Sequence, residues 1–522
     1  MIVADFIIEY LIARGVKRSY GYPGSLAGFI MEALRKRSGE IDNRLLYTEQ
    51  ACGFAAIGDS LVSGDVALCW AISGPGAGNL VTPIANAWLD SVPVIFLTAN
   101  VHTADSREKL GCAALRQNGN QELDIIQIAQ SIVKFAARID DPNAVKATLD
   151  SAWEAATSGR KGPVLIDLPI DISRSEIGFD GGSFGSAFTP RRAASANGAL
   201  RAIEAEIAAA NKPLIVAGGG IRSAQVEESF LAWLDKLSAR TPNLKVVVTL
   251  RGKDLLASDN PLNFGVAGVW GNESANEAAK NADLIITIGS RLANRQLAAL
   301  GGKLPCKVIR VDIDAAEFAR SVTDAEAIDM RADLSNLFEP NATKPPKRVI
   351  VSDVGQNMWR VAREFAIESG DRALFSAGLG AMGFSLCAAI GAHYAAPNAE
   401  IIAFCGDGGL QMSVEELHFI ARRRVPIALI VFNNNALGLI RAFQERNFNG
   451  EYFSVTADTG YASPDWEALA KAYGVNYVLF DGDLDALEDK GRLRALMELA
   501  SRLRKTSALP LMIEARVKPA YP

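Results

Sequence analysis

Ile401-Ile402-Ala403-Phe404-Cys405-Gly406-Asp407-Gly408-Gly409-Leu410 reads as an apolar strand running into a glycine-rich turn. A strand without polar alternation is covered on both faces, as in a parallel sheet flanked by helices. A helix is expected over 413–423. The next apolar run, Pro426-Ile427-Ala428-Leu429-Ile430-Val431-Phe432, ends in Asn433-Asn434-Asn435-Ala436-Leu437-Gly438. Strand, helix and strand make one parallel βαβ unit. Both turns then lie at the carboxyl edge of one sheet, where such sheets bind ligands. Residues 510–514 supply a further strand.

The same pattern recurs upstream. Helical spacing covers 4–13 and 50–61, and short apolar runs cover 66–71, 93–97 and 163–168. In the middle of the chain, strands are expected at 213–217, 245–249, 283–287 and 308–312. Looser stretches at 178–196, rich in Gly, Ser and Ala, and at 339–347, which bears Pro, separate these blocks. The expected fold is α/β, with three consecutive doubly wound parallel-sheet domains at 1–178, 190–340 and 347–522. No short-period repeat is visible.

At 522 residues the chain is too long for a single core. With 54 basic and 59 acidic residues its net charge is −5, which argues against a nucleic-acid-coating protein. The six cysteines are scattered, so neither a zinc ribbon nor a CxxC redox site is expected. No apolar run reaches the ~20 residues of a membrane span, and the N-terminus lacks the plan of a signal peptide. These features suggest a soluble, cytoplasmic protein with no membrane or nucleic-acid partner. The three histidines, His102, His393 and His418, stand in no recognisable nucleophile motif, which disfavours a hydrolytic triad.

Glycines after a strand let backbone N–H groups approach a phosphate. Asp407 places an anion at that point, a conflict that a divalent cation resolves; magnesium often bridges carboxylates to a diphosphate. Asn434, one helix and one strand later, offers a side-chain oxygen beside Asp407. Taken singly, Asp-Gly and Asn-rich turns are common. It is their pairing across one βαβ unit that points to a metal–diphosphate site.

This pair resembles the signature of thiamine-diphosphate enzymes. The resemblance implies Mg2+ held by Asp407, Asn434 and the main-chain oxygen of Ala436. It implies thiamine diphosphate against Gly406, Gly408, Gly409, Asn434, Leu437 and Gly438. The family also needs a glutamate, supplied by the first domain of the other subunit, bonded to the cofactor's aminopyrimidine ring. In Leu45-Leu46-Tyr47-Thr48-Glu49-Gln50-Ala51, a short strand is expected to end and Glu49 to open a small-residue helix. Thr48 replaces the family's usual His. A glutamate at a helix start also has a plain stabilising role.

Gly21-Tyr22-Pro23-Gly24, Ser73-Gly74-Pro75-Gly76-Ala77-Gly78-Asn79, Gln121-Glu122, Asp353-Val354-Gly355-Gln356 and Gly380-Ala381-Met382-Gly383-Phe384 extend the likeness along nearly the whole chain. Together they resemble the acetolactate synthase large-subunit group. By that resemblance Gly355 and Gln356 touch diphosphate, Gly380 and Met382 hold the bent cofactor, and Gly24, Ser25 and Gln121 lie near the substrates. The implied activity is a carboligase that decarboxylates pyruvate or a related 2-keto acid and passes the two-carbon unit to a carbonyl acceptor. A 2-keto acid decarboxylase, a hydroxyketone lyase and a carboligase for a sugar-like acceptor are the alternatives. A homodimer or homotetramer follows, since the site spans two subunits.

There are departures from the group. Asn120 replaces Phe before Gln-Glu, Phe443 replaces a bulky Trp, and Pro169-Ile170-Asp171 replaces a Lys-bearing loop. Leu115-Arg116-Gln117 is closer to relatives in sugar pathways, and Arg116 is either a substrate contact or a solvated charge. In the middle domain, Gly218-Gly219-Gly220, Gly289-Ser290-Arg291 and Asp312-Ile313-Asp314 resemble an FAD site, but Asn294 replaces its acidic residue. FAD and an empty site are both open there.

Overall fold

The computed structural model describes residues 1–112, 114–178, 197–480, 482, 489–506 and 510–518. The described residues form three six-stranded sheets in which every neighbouring pair of strands is parallel. The first holds β1 (Arg18–Gly21), β2 (Asp42–Arg44), β3 (Ala67–Ala71), β4 (Val94–Asn100), β5 (Phe135–Arg138) and β6 (Val164–Pro169), in the order β2-β1-β3-β4-β6-β5. The second holds β7 (Pro213–Ala217), β8 (Lys245–Val248), β9 (Asn263–Val266), β10 (Leu284–Ile288), β11 (Lys307–Asp312) and β12 (Ala327–Arg331), in the order β12-β11-β10-β7-β8-β9. The third holds β13 (Arg348–Ser352), β14 (Arg372–Phe375), β15 (Glu400–Gly406), β16 (Ile427–Asn433), β17 (Asn476–Phe480) and β18 (Leu511–Arg516), in the order β14-β13-β15-β16-β18-β17.

The α/β fold with three doubly wound parallel sheets is therefore present. The first and third sheets share one strand order, a duplication that the sequence does not display. In each, chain progression reverses beside the opening strand, between β1 and β3 and between β13 and β15. The carboxyl ends at such a switch point leave a crevice for ligands. The apolar runs behave as their composition requires: β3, β4, β6, β7 and β10 are buried along their whole length.

Details differ from the sequence expectation. β2 ends at Arg44, so residues 45–48 are a loop and not a strand. The helix expected over 413–423 begins at Glu416, after a short helix, Asp407–Leu410, and a 3-10 turn, Gln411–Ser413. The backbone thus becomes helical at Asp407 itself. Residues 339–347 hold no helix or strand. Of the other looser stretch, residues 179–196 lie outside the described residues.

Two units emerge from the packing. One comprises the described part of Met1–Pro190 with Gly378–Pro397 and Ser413–Val425; the other comprises the described part of Arg191–Ala377, Asn398–Met412 and Pro426–Pro522. In the first unit the helix Glu49–Ser63 lies closely against the helix Phe384–Ala395. A Cβ on Gly58 would stand 2.1 Å from the Ala388 carbonyl oxygen, and one on Gly391 would stand 1.8 Å from that of Ala55. Small residues are required at that crossing because backbone meets backbone.

Candidate active site

In the first unit, the loops after β1, β2 and β3 converge. Thr48 caps the helix Glu49–Ser63, its Oγ1 accepting the Ala51 N–H at 3.1 Å. The capping demand is met there, so the Glu49 carboxyl is left for other work. It is 8% exposed, and its Oε2 accepts from Asn79 Nδ2 at 3.0 Å. A Cβ on Gly76 would lie 2.9 Å from Glu49 Oε1 and 2.6 Å from Ile72 Cγ2, while one on Gly24 would lie 2.4 Å from Ile72 Cδ1. Gly24, Gly76 and Glu49 thus share one wall. Ser25 begins a 3-10 turn and is exposed.

Gln121 joins them from a distant loop. Its backbone has φ +65°, the left-handed region that a glutamine seldom adopts. Its carbonyl accepts from Ser73 Oγ at 2.7 Å, and Ser73 Oγ lies 3.0 Å from Asn100 Oδ1. Asn100 Nδ2 in turn donates to Asp167 Oδ2 at 2.6 Å. Gly74, at φ +59°, leaves room: its Cβ would meet the Gln121 carbonyl at 2.8 Å. Beside it, Glu122 accepts from the amides of Arg107 (2.7 Å), Asn118 (2.8 Å) and Gly119 (3.2 Å), which folds the loop. Arg116 and Asn120 are exposed.

In the second unit, the turns after β13, β15 and β16 meet. Asp407 is 2% exposed, and burial pushes its carboxyl up to about 6. Tyr461 donates to its Oδ2 at 3.1 Å, and the amides of Gly408 and Ala436 also favour its charge. Asn434 donates from Nδ2 to Gln356 Oε1 at 2.9 Å and accepts the Ala436 N–H at 3.1 Å. Gly438 lies against this pair, its Cβ position 2.5 Å from Asn434 Nδ2 and 2.8 Å from Gln356 Oε1. On Gly409, a Cβ would strike Asp353 Oδ2 at 2.2 Å. Gly355, at φ +124°, precedes the helix Gln356–Glu364. Leu437 is tied to Val455 by its amide, and Ala436 is buried.

These glycines bring amide-bearing backbone close to a buried carboxylate, as an oxygen-ligated cation and a phosphate require. Among the described residues no three His, Cys, Asp or Glu side chains form a metal cluster. Asp407 and Asn434 both accept from the Ala436 amide, so one carboxylate and one side-chain amide oxygen border the same turn, and oxygen donors of this kind suit a hard cation.

Residues 1–128, 200–338 and 353–508 match the family profiles of the thiamine pyrophosphate enzymes: the N-terminal TPP binding domain, the central domain and the C-terminal TPP binding domain. The chain belongs to the thiamine pyrophosphate enzymes. It is similar to the acetolactate synthase large subunit of Lactococcus lactis, at 31% identity over 93% of this chain and 89% of that protein. The large subunit of acetolactate synthase isozyme 2 from Escherichia coli is 30% identical, covering 91% of this chain and 90% of that protein. The probable large subunit from Methanocaldococcus jannaschii is 32% identical, covering 90% and 86%.

Within this thiamine pyrophosphate enzyme, the first unit gathers Gly24, Ser25, Glu49 and Gln121. Gly380 (φ +71°) and half-buried Met382 also belong to it, just before the helix Phe384–Ala395. The second unit gathers Gly355, Gln356, Gly406, Asp407, Gly408, Gly409, Asn434, Ala436, Leu437 and Gly438. Sequence reasoning missed Tyr461, which stands in no motif, and the Asn100–Asp167 support under Gln121.

Proposed function

We propose that the chain is a thiamine-diphosphate- and Mg2+-dependent carboligase, of transferase or lyase type, that decarboxylates pyruvate or a related 2-keto acid and joins the two-carbon unit to a carbonyl acceptor. One observation carries this reading. Two buried carboxylates, Glu49 and Asp407, sit at the carboxyl ends of sheets with the same strand order, and among the described residues neither is ion-paired. Buried carboxyl groups without a cationic partner, at the edge where such sheets bind ligands, are candidates for a functional site.

When bound, the cofactor supplies the electron sink for loss of carbon dioxide and the nucleophilic carbon for ligation. Asp407, Asn434 and the Ala436 carbonyl would hold the metal. Gly355, Gln356, Gly406, Gly408, Gly409, Leu437 and Gly438 would cradle the diphosphate, and Gly380 and Met382 the rings. Glu49 would exchange a proton at the aminopyrimidine ring nitrogen. Gly24, Ser25 and Gln121 would orient the substrates. By family resemblance Glu49 serves a partner subunit's cofactor, so the working form is a homodimer or homotetramer, in the cytoplasm. We put the domains at 1–178, 190–340 and 347–522.

FAD is kept as a candidate ligand of the central sheet. The glycines after β7 have another explanation: Gly218 and Gly220 face the Gly289 backbone, with Cβ positions 2.1 and 2.7 Å away. Arg295 rests on the Trp270 ring at 3.8 Å. Visible flavin absorbance of the purified protein decides the point.

The reading is tested by pyruvate consumption after chelation and gel filtration. Consumption should return only when thiamine diphosphate and magnesium are both restored. Undiminished consumption by the stripped protein opposes the reading.

A further inference from the structure

Glu416 opens the helix Glu416–Arg423 in the first unit, and its side chain has no exposure to solvent. Its Oε1 accepts the Tyr47 N–H at 2.7 Å, and the Thr48 amide bonds to the same carboxyl. Oε2 is buried and has no hydrogen-bond partner. Tyr47 and Thr48 are the two residues before Glu49, and Thr48 is the cap of its helix. The Tyr47 ring packs against His418, two residues further along the same helix, at 5.5 Å, and the Cys52 thiol and the Glu415 carboxyl lie within electrostatic reach of Glu416.

None of the chemistry proposed above uses this carboxyl. An apolar side chain of its size would fill the same space without an orphaned oxygen. What the carboxyl adds is an acceptor for amides that no element of secondary structure pairs. Burial, with the charge of Glu415, pushes its pKa up to about 8. At neutral pH it is then uncharged, so it accepts these bonds without bringing a negative charge to the first turn of the Glu49 helix.

We infer that Glu416 is a positioning residue for Glu49: by holding the Tyr47 and Thr48 amides it fixes where the Glu49 carboxyl projects. This rests on Glu49 exchanging a proton with the cofactor.

The experiment loads the full-length enzyme with thiamine diphosphate and magnesium, dilutes it into deuterium oxide, and follows loss of the cofactor's C2 proton by quenched NMR. Cofactor affinity and melting temperature are recorded alongside. Glu416→Gln keeps a neutral acceptor and should exchange within about threefold of wild type, whereas Glu416→Met fills the space without one and should slow by about 10- to 100-fold at unchanged cofactor affinity. If Glu416→Met does not fold, Glu416→Asp, which withdraws the acceptor, should show the same slowing. Wild-type exchange in the Met or Asp variant overturns the inference. So does equal slowing in Gln and Met. Glu49→Gln is the control: normal exchange in that variant refutes the role of Glu49, a failure distinct from that of Glu416.

Discussion

The side-chain amide of Asn79 donates to Glu49 Oε2 over 3.0 Å, from the end of the short helix Pro75–Asn79 that follows β3 to the start of the helix after β2. That bond, with Gly76 pressed against Oε1, fixes a buried carboxylate that the helix cap does not need. Glu49→Gln should keep the shape and lose the proton exchange. Turnover is expected to fall by about 100-fold or more, while thiamine diphosphate affinity, read by titration calorimetry, stays within a few-fold. Gly76→Ala should also cut turnover, by about 10-fold, because its Cβ displaces the carboxyl.

Asp407 is the only carboxylate in the expected metal set. Asp407→Asn should weaken magnesium-dependent cofactor binding by on the order of 100-fold, because the cation loses its one anionic protein ligand. Tyr461→Phe removes a single donor to Asp407. It should cost about 1 kcal/mol in metal-free protein, and less once magnesium and cofactor are added. Melting curves with and without the ligands measure both effects.

The helix crossing under Glu49 admits no side chain at two positions. Gly391→Val and Gly58→Val would each drive carbon into a backbone carbonyl. Each is expected to lose about 3 kcal/mol or more, seen as a lowered denaturant midpoint or as insoluble protein. Gly28, around which a Cβ meets nothing within 4 Å, is the comparison: Gly28→Ala should leave stability nearly unchanged.

Lys253 titrates inside the fold. It is buried, donates to the Ala362 carbonyl at 2.8 Å, and burial lowers its pKa from 10.5 to about 8. The unfolded chain therefore holds this proton more tightly than the native one. Between about pH 8 and 10.5 the unfolded state binds more protons, so this group makes stability rise with pH; below pH 8 its full penalty applies. Wild type should gain stability relative to Lys253→Met across that window. A constant difference between the two proteins would contradict the assignment.

The strands were legible where burial is two-sided, because an uninterrupted apolar run such as β4 or β16 has few other uses. β2, made of Asp42, Asn43 and Arg44, and β12, with alternating exposure, have no such mark, because a sheet edge does not demand one. Asp407 and Asn434 were legible because each ends a readable strand. Tyr461 was not, since 54 residues separate it from Asp407 and nothing around it is patterned. Glu416 stands beside Glu415 at the start of an amphipathic helix, where sequence alone suggests two solvated charges; only packing separates them. Gly58 and Gly391 owe their identity to a helix crossing that joins distant segments, and local pattern carries no trace of it.

The central claim is carbon–carbon bond formation, and product identity tests it most directly. The holoenzyme is given carbon-labelled pyruvate with thiamine diphosphate and magnesium, and the products are read by mass and carbon NMR. The account predicts a product with a new carbon–carbon bond between the two-carbon unit and a carbonyl acceptor, acetolactate where that acceptor is a second pyruvate, and no product without the cofactor. Cofactor-dependent conversion of pyruvate to acetaldehyde alone, with no new carbon–carbon bond, would contradict it.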